Sequence, residues 1–84
     1  MNLYRISQNK NRGYDTYSDA VVAANSEEEA RGMNPQDGMP MTIEQWAYDF
    51  SSWCSDPKFV LVELVGIAEP HIEKGIVCSS FHAG

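Results

Sequence analysis

Polar and apolar positions alternate over residues 3–8, with Tyr4, Ile6 and Gln8 on one face and Leu3, Arg5 and Ser7 on the other. That period predicts a strand. Asn9-Lys10-Asn11-Arg12-Gly13 is a turn-rich polar cluster. Residues 14–19 mix polar and aromatic side chains with no helical period and read as a loop or irregular edge. The small residues Ala20-Val21-Val22-Ala23-Ala24 predict a short strand that lets a helix approach closely, so it should be central.

Ser26 followed by Glu29 is a capping box, with Glu27, Glu28 and Glu29 at the positive end of the helix dipole. Gly32 and Pro35 should stop that helix after about two turns. Residues 34–41 form a loop, punctuated by Pro35, Asp37-Gly38 and Pro40. A second capping box, Thr42 with Gln45, opens a stripe of Ile43, Trp46, Ala47, Phe50 and Trp53-Cys54 at helical spacing. Tyr48 and Asp49 fall off the stripe and should face solvent or a partner. This helix should end near residues 55–57.

Residues 59–68 form the dominant expected strand, apolar on both faces except at Glu63, with Gly66 as a bulge or bend. Residues 69–75 have the length of a hairpin connection. Residues 76–81 return as the last strand, with Val77 and Phe81 on one face and Ile76 and Cys78 on the other. The expected fold is a single α+β domain over residues 1–84, in the order β-β-α-α-β-β. It has a small, mainly antiparallel four-stranded sheet with two helices on one face.

Charge changes this picture more than composition does. The 84 residues carry twelve acids and six bases, a net charge of −6, which argues against direct binding of a nucleic-acid backbone. The acids concentrate in residues 14–57, where nine of them face Arg31 alone. Such a surface steers a basic partner and competes for a site made for phosphates. For any single carboxylate, a solvated face is the plainer meaning. No apolar run is long enough to span a membrane and none follows Met1 as a secretory leader would. Cys54 and Cys78 are therefore expected as reduced, half-buried thiols.

Enzyme signatures are thin. The chain has no P-loop, dinucleotide glycine fingerprint, H-E-x-x-H or nucleophile elbow. Cys54, Cys78, His71 and His82 lack the paired spacing of a structural zinc site, so no metal and no cofactor is expected. Cys78 with His71 or His82 would be the nucleophilic pair of an enzyme, but a mid-strand thiol is usually an apolar filler.

The stretches Ser7-Gln8-Asn9, Gly13-Tyr14-Asp15-Thr16-Tyr17, Ala20-Val21-Val22-Ala23-Ala24 and Ser26-Glu27-Glu28-Glu29-Ala30-Arg31 carry a resemblance, together with the ending Gly75-Ile76-Val77-Cys78-Ser79-Ser80-Phe81-His82-Ala83-Gly84. They resemble a family of small proteins encoded by phages and prophages. The likeness covers about half the chain and brings no catalytic residues. Relatives often end Phe-Asn-Ala-Gly where this chain has Phe81-His82-Ala83-Gly84. The resemblance implies phage origin and the host cytoplasm.

Small acidic phage proteins are frequently inhibitors of bacterial immunity, CRISPR inhibitors among them. The expectation is thus a non-enzymatic protein that blocks a host defence protein, with Asp15, Tyr17, Asp19, Glu44, Tyr48 and Asp49 as contacts. The alternative is a sponge for an immune signalling nucleotide at a homo-oligomer boundary, using Arg12, Tyr14, Tyr17 and His82. A homodimer is expected through residues 59–68, because the helices cover only one face of that strand.

Overall fold

The computed structural model describes residues 1–10, 16–47, 53–54 and 56–82. Four strands, β1 (Asn2–Ser7), β2 (Thr16–Ala24), β3 (Leu61–Ile67) and β4 (Gly75–His82), form one antiparallel sheet. Two short helices, α1 (Glu27–Arg31) and α2 (Ile43–Ala47), lie between β2 and β3 in the chain, and a 3-10 turn (Pro57–Phe59) precedes β3. The α+β class and the chain order of elements agree with the sequence reading.

The spatial order does not. The sheet runs β3-β1-β2-β4, so β1 and β2 are central and the last two strands are its opposite edges. The expected hairpin between β3 and β4 is replaced by a crossover through residues 68–74. Three strand spacings are about 14 Å, well within the reach of seven extended residues, about 23 Å. A connection of that length therefore permits either arrangement. β2 also begins at Thr16, inside the stretch expected to be irregular, because Thr16 and Tyr17 find partners in His82 and Phe81.

One face of the sheet is covered. Tyr4 and Ile6 from β1 join Ala20, Val22 and Ala24 from β2, and Ala30, Met33, Met41, Trp53, Cys54 and Val60 complete the core. The alternation in β1 is as the sequence predicts, and its continuation Gln8 is also buried. Gln8 is satisfied there at both ends: its Nε2 donates to the Tyr17 carbonyl at 3.0 Å and its Oε1 accepts from the Lys10 amide at 2.9 Å. In β4, a register shift between Val21 and Val22 puts Ile76 against the core and Cys78 opposite Val21 on the open face. That shift separates the two residues expected to share a face.

The second capping box is complete and the first is complete in its Ser26 half. Ser26 Oγ accepts from the Glu29 amide at 3.1 Å, and the Glu29 carboxylate accepts from the amide of Asn25, one residue before the expected one. Thr42 and Gln45 exchange both bonds of the box, at 2.9 and 3.1 Å. The stripe behind Thr42 is only partly used. Trp46 packs on the core, whereas Ile43 is 85% exposed. Trp53 and Cys54 reach the core from non-helical chain, and Phe50 lies outside the described residues.

The 34–40 loop folds back on itself through a Met33–Pro40 bridge and is pressed onto the start of β4. Gly38 has φ of 74° and is the contact point: a Cβ there would come within 2.5 Å of the Ile76 nitrogen. Only glycine meets both demands.

Candidate functional site

Of the expected contact residues, Asp15, Tyr48 and Asp49 lie outside the described residues, as do Arg12 and Tyr14 of the nucleotide alternative. Tyr17 is half-buried and packs against the core. The register sets Tyr17 opposite Phe81 and its neighbour Thr16 opposite His82, at one end of the β2–β4 pair.

Asp19 and Glu44 are not brought together. Asp19 is on the open face of the sheet, where its Oδ2 accepts from Arg5 Nε at 3.1 Å and Nη2 at 2.8 Å. Arg5 also faces Glu63 on β3 at 4.0 Å. Glu44 is exposed on α2, in the layer over the covered face.

A pattern that one-dimensional reading misses lies in the bases. Three of them are occupied by carboxylates: Arg5 by Asp19, Arg31 by Glu27 at 3.0 Å and Lys74 by Glu29 at 2.9 Å. Arg31 also donates to the Val60 carbonyl, which ties α1 to the chain entering β3. Lys10 and Lys58 both lie over the Phe59 ring, 5.4 and 5.3 Å from its centre. Among the described residues, Glu28, Asp37, Glu44, Glu69 and Glu73 are exposed and form no ion pair. Only the tertiary register shows this, since Arg5–Asp19 and Lys74–Glu29 are remote in sequence.

Glu29 is held below the usual glutamate range, first by the Asn25 amide and then by Lys74. Burial pushes the Cys54 thiol up, so it stays protonated at neutral pH. Cys78 is exposed, not half-buried as expected. The two thiols lie on opposite faces of the sheet and both are free.

An open groove of about 500 Å³ runs between the 34–40 loop and the start of β4, with Asp37, His71, Glu73 and Lys74 among its lining. Charges of both signs line it. Among the described residues there is no group of three or more His, Cys, Asp or Glu side chains able to hold a metal ion. No helix among them is long and apolar enough to cross a membrane.

Comparison with protein-family models, with curated proteins and with solved structures finds no match.

Proposed function

We propose that the chain is a non-catalytic phage-type binding protein. It inhibits a host defence protein by occupying a basic, nucleic-acid-handling site with its acidic surface. The observation that carries this reading is the disposition of the bases. Arg5, Arg31 and Lys74 are neutralised within the fold, and Lys10 and Lys58 are gathered at Phe59. Glu28 and Glu44 are thereby left facing solvent on the helical side, where they offer negative charge to a cationic partner. Phage origin and the host cytoplasm belong to the same proposal.

Capture from a bacterial host lysate on the immobilised chain tests it. A retained protein should be released by heparin, a polyanion that competes for the same cationic site. The double variant Glu28→Lys/Glu44→Lys should retain at least fivefold less. Retention that is indifferent to heparin and to charge reversal counts against the proposal.

A second reading, sequestration of a small nucleotide, is favoured by one observation. Lys10 and Lys58 bring two ammonium groups together at the Phe59 ring, a pairing suited to a phosphate. A sponge gains thermal stability in millimolar nucleotide, whereas an acidic protein inhibitor does not.

A further inference from the structure

We propose that Asn25 is a site of spontaneous covalent modification in the folded chain, where its carboxamide condenses with the Ser26 amide and is converted to aspartate and isoaspartate. The reaction needs two free groups in sequence, a short Asn or Asp side chain and the backbone N–H that follows it. Of the two side chains, asparagine is the thermolabile one.

The bend between β2 and α1 supplies both groups. Asn25 is exposed, and no hydrogen bond engages its carboxamide among the described residues. The Ser26 N–H is open because Glu29 grips the neighbouring amide. A complete capping box would tie that carboxylate to Ser26, whereas here it accepts from the Asn25 amide at 2.8 Å. Ser26 takes part only through its hydroxyl.

The other described Asn and Asp residues are closed by their surroundings. Asp37-Gly38, the pair that sequence alone would single out, has its Gly38 amide bonded to the Asn34 carbonyl at 2.7 Å and its carboxylate on the Met39 amide at 2.9 Å. The Lys10 amide, which follows Asn9, donates to Gln8. Asn34 and Asp56 precede prolines, which have no N–H. Asn2 and Asp19 precede amides inside the two central strands.

The step balances without an oxidant or a metal. Ser26 N, giving its proton to hydroxide, bonds to Asn25 Cγ, and the Cγ–Nδ2 bond breaks as ammonia leaves with a proton from water. Water then opens the imide at either carbonyl. Both products add one negative charge to the net −6. The isoaspartyl product also lengthens the backbone by one carbon between the Asn25 amide and the Ser26 hydroxyl. Those are the two points at which Glu29 is held, so conversion loosens Glu29 and, through it, Lys74.

Ageing the full chain at 37 °C and pH 8, with and without urea, tests this by peptide mass mapping and enzymatic methylation of isoaspartyl groups. Conversion at Asn25 should proceed within fivefold of its rate in urea, whereas Asn9 and Asp37 should each be slowed more than fivefold by folding. The aged chain should have a lower urea midpoint than the fresh one. Asn25→Gln, which cannot close the five-membered ring, should keep its midpoint on ageing. Protection of Asn25 beyond fivefold overturns the proposal, as does equal exposure of Asn9 or Asp37. A midpoint that ageing leaves unchanged, or lowers equally in Asn25→Gln, overturns the coupling to Glu29.

Discussion

The Lys74 ammonium donates to the Glu29 carboxylate across 2.9 Å, fastening the chain between β3 and β4 to the first helix. The same carboxylate accepts from the Asn25 amide. Glu29 therefore closes the N-terminus of α1 and anchors the crossover with one side chain.

This linkage has a defined pH signature. The Glu29 pKa is lowered in the folded chain, so the group stabilises the fold above its unfolded pKa. That contribution is lost as pH falls through the folded value, in the region below the ordinary 4.5. Solvent screening holds the ion-pair part under about 1 kcal/mol. Glu29→Gln should cost about 0.5–1 kcal/mol at pH 7 and flatten the acid limb between pH 5 and pH 3. Urea denaturation across that range reads both effects.

Gly38 should tolerate no side chain. Gly38→Ala combines an unfavourable positive φ with a clash against the β4 backbone and should destabilise by at least about 2 kcal/mol. Gly32→Ala is the control: its nearest neighbours would lie 3.8 and 3.9 Å away, in ordinary contact. Denaturation midpoints of the two variants should differ clearly; equal midpoints would mean that the 34–40 loop does not bear on β4.

The two thiols should separate by reactivity. Iodoacetamide at pH 8 should modify exposed Cys78 rapidly and leave buried Cys54, whose thiol resists ionisation, until the chain unfolds. Intact mass with time should show one adduct under native conditions and two in denaturant. Simultaneous labelling would contradict the burial of Cys54.

Ile6 and Ile43 should behave oppositely on truncation. Ile6 is fully buried in the core and Ile43 is 85% exposed. Ile6→Ala should cost about 2–5 kcal/mol, and Ile43→Ala should stay within about 0.5 kcal/mol of wild type. Equilibrium unfolding of both variants measures the contrast.

Local chemistry is what a single sequence expresses best here. The Thr42–Gln45 box, the Ser26 cap on the Glu29 amide and the Tyr4–Ile6–Gln8 face depend on neighbours within a few residues and are found in the structure, whereas the Glu29 carboxylate returns to Asn25 and not to Ser26. The place of β3 is different in origin. An apolar run such as Leu61–Ile67 suits a buried central strand or a bare edge equally, and the choice depends on which strand claims β1. Ile43 shows the same limit within a helix: a one-turn element offers its stripe to whatever lies beneath it, and here Trp46 finds the core while Ile43 does not. The charge imbalance is plain from composition. Its distribution is not, because pairing of Arg5 with Asp19 requires the β1–β2 register.

The central position of β1 has a consequence for the order in which the molecule is assembled. During synthesis β1 emerges first, yet one of its hydrogen-bonding sides is filled only when residues 61–67 arrive. Until then the chain holds the β1–β2 pair with α1 leaning on it, and completion waits on closing the loop from Ser7 to Leu61. Maturation should therefore be slow for a domain of this size, because that loop must be closed before its contacts repay the lost entropy.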